Sequence, residues 1–524
     1  MPVSHRLFVR VALAVILALS GGSSALAEWR RAESPKFIVY SEGREAALLE
    51  YVQKLETYDY ILRTRLGLPT DGLPDRKLSI YLVGSRRELL KVHPASQQNV
   101  VGTYFPSQED IFAVAIRGDG DDVLLHEYAH HFMFQYSTGS YPGWLVEGFA
   151  EYFSTAEIKP DQVVIGGYNT DRLYWLQSSP NWIPLEELLS RRPFEVRRGN
   201  NRDTYYPVAW LLTHWFMGTA ENRVMLSAYL ADVGDGGDPV EAMERATGKS
   251  LAELRRTLRN YLNGRVPMTR YRQAFPRAEI SVTVLPRSSD DLLLLGQRLK
   301  VGVPEDERAA TAEAVRRAAA DYPDDSFAQL QLGHAELHFG DPEVGEAILT
   351  RLLEREPDNV EALHLLASRE KQKARDTDAD PLPFENAARH YLGRAFRADE
   401  THFLTYIMLG EMQSYGPDGP TENDVATWQL AFQIAPQLAQ TRLGYAQVLL
   451  MSGHPDRAEA LLVPLANAPH GGGAADAAQH LLERIRAGDR TLDVSDIEAV
   501  SLGDPDEIEP ESDQPDPTSD DSDA

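Results

Sequence analysis

The 524-residue chain contains no cysteine. That excludes disulfides, thiol catalysis, iron–sulfur clusters and thiolate zinc sites together. Any metal ion must be held by His, Asp or Glu. Long apolar runs are scarce as well. The run from Val11 to Leu19 falls well short of the ~20 residues of a spanning helix. Basic residues are the minority, 52 Lys and Arg against 79 Asp and Glu, for a net charge of −27. A net charge of this sign argues against a nucleic-acid binder, which needs a basic face. With 43% hydrophobic residues it is too apolar for a disordered protein and too long for one core, so two or more domains are expected.

The two ends read differently from the body. Arg6 and Arg10, the Val11 to Leu19 run and the small residues Ala25-Leu26-Ala27 have the layout of a secretory signal over residues 1–27. The mature protein is therefore expected to be exported, to the periplasm or outside the cell, with no transmembrane segment once the signal is cleaved. At the other end, residues 491–524 hold thirteen Asp or Glu and no Lys or Arg. Such a segment cannot form a packed core, and 488–524 is expected to be a disordered acidic tail.

Between them the patterning predicts an α+β region followed by an all-α one. KFIVYS (36–41) and KLSIYLVG (77–84) have strand composition, and Glu45 to Leu66 carries apolar residues at helical spacing. VVGTYFP (100–106) and DIFAVAI (110–116) predict a hairpin. From 121 the pattern turns helical, over 121–136 and 143–154, then near 185–190, 206–217, 221–232, 239–246 and 250–262. These elements define a front domain over 28–265. The following stretch is rich in Pro and Arg without a firm period, which predicts a linker over 266–304.

Residues 305–487 repeat. Pro323 and Pro357 lie 34 residues apart, and Ala398 and Pro436 continue the register after intervals of 41 and 38. Ten residues after each anchor stand Gly333, Ala367, Met408 and Ala446, three of them small where two helices would approach closely. Helix pairs at this period resemble tetratricopeptide repeats. Stacked pairs leave a concave groove, so this half is expected to bind a protein partner.

The residues that carry chemistry are His126-Glu127-Tyr128-Ala129-His130. Positions four apart share one helical face, so both imidazoles can address one ion, with Glu127 beside it as a base for water. Zinc held by two histidines needs a third protein ligand and keeps one position open. Glu147, in Trp144-Leu145-Val146-Glu147-Gly148-Phe149-Ala150-Glu151-Tyr152, can supply it from a second, antiparallel helix, with Gly148 leaving room for the approach. Glu151 lies one turn later and can accept the outer N–H of a ligand histidine.

HEYAH followed by WLVEGFAEYF resembles the gluzincin metallopeptidases of the thermolysin-like clan, and in particular the zinc aminopeptidases and the bacterial peptidase-MA-like domains. The resemblance covers roughly 36–265. It implies a strand-containing lobe whose edge strand binds a peptide or protein substrate, and a helical lobe holding one Zn2+ per chain through His126, His130 and Glu147, with Glu127 as the base. It also implies a tyrosine that steadies the oxyanion. Tyr206, in Tyr205-Tyr206-Pro207-Val208-Ala209, matches that position best, and Tyr205 is the alternative. The stretch Gly102-Thr103-Tyr104-Phe105-Pro106 lacks the glutamate with which aminopeptidases hold a free amine, which favours endopeptidase action or hydrolysis of another bond, such as a different amide. The competing expectation is an envelope repeat scaffold whose peptidase-like domain is inactive.

Other residues are less informative. His131 turns about 100° away from His130 on a helix, which predicts a place beside the ligands or exposed to solvent, and His214 is expected in the core. His334, His338, His364, His390 and His402 are scattered through the repeats without a shared spacing. Asp119 and Asp121 form a helix-capping turn rather than a calcium loop.

Overall fold

The computed structural model describes residues 28–72, 76–96, 100–118, 120–136, 139, 141–197, 199–264, 266–414, 420–466 and 472–489. The expected signal, Asp119 and the tail from 490 onward lie outside these residues. The chain is mixed α/β in its front part and helical in its C-terminal part.

Six strands make the principal sheet: β1 (Trp29–Glu33), β2 (Phe37–Glu42), β3 (Leu78–Val83), β4 (Gly102–Pro106), β5 (Ile111–Ile116) and β9 (Ser281–Val284), in the order β4-β5-β3-β2-β1-β9. β2, β3 and β5 run parallel, and the outer pairs β4–β5, β1–β2 and β1–β9 are antiparallel. The crossover from β2 to β3 is α1 (Glu45–Leu66), which buries Leu48, Val52, Leu55, Ile61 and Leu62 on one stripe. That spacing is the reason it forms a helix against the sheet.

A smaller antiparallel sheet joins β6 (Glu157–Lys159), β7 (Gln162–Ile165) and β8 (Thr269–Arg272). β8 and β9 both come from the stretch expected to be a linker, and α11 (Ser289–Val301) completes it by packing Leu293 and Leu294 against Tyr81, Val83 and Phe112. Residues 266–304 are therefore part of the fold. Each strand has four residues, too few to show a period in sequence.

The helical lobe contains α2 (Arg86–Val92), α3 (Asp121–Tyr136), α4 (Gly143–Ser154), α5 (Thr170–Ser178), α6 (Leu185–Ser190), α7 (Asn200–Gly218), α8 (Ala220–Gly234), α9 (Pro239–Thr247) and α10 (Leu251–Asn263). α4 is buried along its whole length. Gly148 permits this, because a Cβ there would lie 2.2 Å from Thr213 Oγ1 and 2.5 Å from the Ala209 carbonyl oxygen. The close approach is to α7, not to α3 as expected from sequence. It backs α4 against a rigid helix and leaves its other side to α3.

Beyond α11 and α12 (Glu305–Ala319), the helices pair as α13 (Ser326–Phe339) with α14 (Pro342–Arg355), α15 (Val360–Asp376) with α16 (Leu382–Ala398), α17 (Phe403–Gln413) with α18 (Glu422–Ile434), and α19 (Ala439–Met451) with α20 (Pro455–Ala466); α21 (Gly473–Arg486) follows. Gly333 is the close-approach position of the first pair, where a Cβ would stand 2.6 Å from Leu349. The first helix of each pair, or the residues just before it, meets the front part of the chain. Glu109 pairs with His334, Lys300 with Glu361, the Arg76 guanidinium lies over Phe403, and Gln135 bonds Gln437. The repeat region thus packs against the front part of the chain.

Candidate metal centre

The HEYAH segment lies in the middle of α3, with its apolar neighbours Leu124, Leu125, Ala129, Phe132 and Met133 buried in the core. Tyr128 fixes the helix from behind. Its hydroxyl donates 2.9 Å to Asp59, which is fully buried and also bonds Arg63 at 2.8 Å and Lys36 at 3.3 Å. Burial pushes the Asp59 carboxyl up and the two cations pull it down, with burial the larger effect. Tyr58 donates a further 3.0 Å hydrogen bond to the Leu125 carbonyl. The rotation of α3 about its axis is therefore set by polar contacts on the side opposite the histidines.

On the other side three donor atoms converge. His126 Nε2 and His130 Nε2 are 3.0 Å apart, and each lies 3.5 Å from Glu147 Oε2. Zinc bonds of about 2.0–2.1 Å at tetrahedral angles place ligand atoms about 3.3–3.4 Å from one another. The observed spacing fits that requirement, and the donor set of two imidazoles and a carboxylate suits zinc. Glu147 is 0% exposed, which makes its charge expensive without a balancing cation.

Glu151, one turn along α4, lies 3.9 Å from His126 Nδ1. Arg172 on α5 donates to Glu151 Oε1 from Nη2 at 2.7 Å and from Nε at 3.1 Å. Burial alone would raise the Glu151 carboxyl, but the Arg172 guanidinium outweighs it and keeps the group ionised. Burial lowers His126, and the carboxylates of Glu147 and Glu151 more than reverse it, so its net shift is upward.

The site opens into a cleft lined by His126, Glu127, His130, Glu147, Glu151 and Arg172. Val100, Val101 and Gly102 form another wall. Gly102 begins β4, the edge strand of the principal sheet, so the cleft runs along main chain able to pair with an extended peptide.

Of the residues expected from sequence, the structure brings His126, Glu127, His130, Glu147 and Glu151 together. Tyr206 is not among the residues lining the cleft. It is buried on α7 with the Arg172 guanidinium 5.2 Å above its ring. Tyr205 is fully buried and does not line the cleft, its hydroxyl donating to the Arg191 carbonyl at 3.0 Å. His131 is a core residue bonded to the Tyr104 hydroxyl at 2.9 Å, and burial pushes it down to about 3. His214 bonds the Tyr261 hydroxyl and the Gly166 carbonyl, both at 2.9 Å. Asp121 is tied to Lys54 and Tyr51. Arg172 was not singled out from sequence, since it sits in a segment whose local pattern carries no chemical motif.

The tetratricopeptide repeat family matches residues 326–369, which span α13, α14 and the start of α15. A comparison with curated proteins finds no match. Among solved structures, a thermophilic TPR protein of Thermus thermophilus is similar over 37% of this chain and 99% of its own, at 19% identity and a TM-score of 0.32. The C-terminal region thus contains a tetratricopeptide repeat, a module that implies protein partners.

Proposed function

We propose that the protein is an exported zinc-dependent metallopeptidase, cutting within peptide chains, whose repeat region mediates protein contacts. The observation that carries this reading is the convergence of His126 Nε2, His130 Nε2 and Glu147 Oε2 at 3.0–3.5 Å beside an edge strand. When bound, a zinc ion supplies Lewis-acid chemistry, polarising a carbonyl and making water more acidic. Glu127, next in sequence to a ligand and on the cleft wall, takes the proton of the attacking water and returns it to the leaving amine. Glu151, held ionised by Arg172, places a negative charge 3.9 Å from His126 Nδ1. The main chain at Val100–Gly102 aligns an extended substrate. The signal-like residues 1–27 support export, and no helix among the described residues is long and apolar enough to cross a membrane.

The test is metal analysis together with hydrolysis of a mixed peptide library. The wild type is expected to hold zinc and cleave peptides, and Glu127→Gln to keep the zinc and lose cleavage. Undiminished cleavage by Glu127→Gln removes the base from the mechanism. A second reading, an envelope scaffold with an inactive peptidase-like lobe, is favoured by the repeat match at 326–369. It predicts no cleavage by the wild type.

A further inference from the structure

A second group of ligand-type side chains lies away from the cleft, where the sheet meets the repeats. Glu109 stands in the turn between β4 and β5, and His334 and His338 stand four residues apart on α13. That spacing puts both imidazoles on one helical face, as in α3. His334 Nε2 lies 3.3 Å from Glu109 Oε2, and the three residues offer donor atoms all within 4.8 Å of one another.

His334 is 0% exposed, and neither of its ring nitrogens has a hydrogen-bond partner among the described residues. A fully buried imidazole normally secures both nitrogens. His338 is exposed and Glu109 half-buried, so the cluster is reachable from solvent on one side. The neighbouring cation Lys300 is compensated by Glu361 at 3.1 Å and Asp110 at 3.8 Å.

We propose that Glu109, His334 and His338 form a second divalent-metal site, of the two-imidazole, one-carboxylate class that suits zinc. It joins the β4–β5 turn to α13 and so ties the cleft's edge strand to the first repeat. This role is structural and does not depend on catalysis at the cleft.

The probe is zinc alone, measured by elemental analysis on the full mature chain after dialysis. Wild type is expected to hold two equivalents. Glu147→Ala, His338→Ala and Glu109→Gln are each expected to hold one, and Glu147→Ala/His338→Ala none. A single equivalent that Glu147→Ala removes and His338→Ala leaves overturns the second site while keeping the cleft. A single equivalent with the reverse pattern supports the second site and overturns the cleft reading. No bound zinc overturns both. His338 is exposed, so its replacement is compatible with folding. As a further readout, added zinc is expected to raise the Tm of Glu147→Ala, because an ion bridging two elements binds the folded chain preferentially. A rise that persists in Glu147→Ala/His338→Ala overturns the assignment.

Discussion

Arg172 grips Glu151 with two hydrogen bonds to one carboxylate oxygen, at 2.7 and 3.1 Å. The contact links four elements in series: the Tyr206 ring on α7 supports the guanidinium on α5, which holds the carboxylate on α4 beside His126 on α3. Removing any one member should act on the proposed metal centre through the next.

Glu151→Gln is expected to weaken zinc binding by about 10–100-fold, the usual cost of losing an outer partner of a ligand histidine. Chelator competition measures it. Arg172→Ala leaves a carboxylate with 5% side-chain exposure without its guanidinium, and should lower stability by about 3–5 kcal/mol. The double variant Glu151→Gln/Arg172→Met should recover part of that loss in a urea melt. Equal affinities for wild type and Glu151→Gln would remove Glu151 from the centre.

Tyr206→Phe keeps the ring under the guanidinium and loses the hydroxyl. Because Arg172 rather than Tyr206 lines the cleft, kcat on a cleaved peptide is expected to fall by less than about tenfold. An oxyanion donor would cost about 10²–10³ in kcat, so a loss of that size with zinc retained would put the hydroxyl in the reaction.

Gly148→Ala drives a Cβ into Thr213 and the Ala209 carbonyl. The backbone contact cannot rotate away, so α4 must shift from α7. A loss of about 1–3 kcal/mol or more is expected, together with weaker zinc binding because Glu147 is the preceding residue. Thermal melts with and without zinc check both effects; an unchanged Tm would mean that the two helices are not in close contact.

His364, bonded to Thr405 at 2.7 Å with the His402 ring 4.6 Å away, gives the repeat region a dependence on acid. Burial, with the Arg76 charge second and opposed by Asp399 and Glu109, pushes His364 down to about 4 from an ordinary 6.5. The folded value is the lower one, so the unfolded chain binds the proton first as pH falls. Stability should be full above about 6.5 and decline through the window toward 4, by about 2 kcal/mol at pH 5. His402 is shifted in the same direction by burial and the Arg76 charge. Urea melts at pH 7 and pH 5 should show a smaller difference for His364→Gln than for wild type. Identical differences would show that His364 does not carry the effect.

Much of the local structure was legible in the sequence because it follows from short-range spacing. The periodicity from Glu45 to Leu66 coincides with α1, and residues 121–136 and 143–154 coincide with α3 and α4. The histidine pair at 126 and 130 shares a face for the same reason, since four residues make about one turn. Segments of three or four residues, such as β6 to β9, have too little pattern to recognise and form because neighbouring chain completes their hydrogen bonding. Arg172 was illegible because its role depends on a carboxylate 21 positions earlier.

The sequence by itself limited any metal ligand to His, Asp or Glu, through the absence of cysteine, and determined the pairing of residues along single helices, through the pitch of the α-helix. It showed the repeat register through anchor residues recurring at intervals of 34, 41 and 38. Tertiary structure decided which helices meet. Gly148 faces α7, so α4 turns Glu147 toward the two imidazoles; Tyr206 packs behind Arg172; and the first repeat presents His334 to Glu109. These outcomes depend on close packing between segments distant in the chain, where side-chain volume and charge compensation select one arrangement and no local period records it.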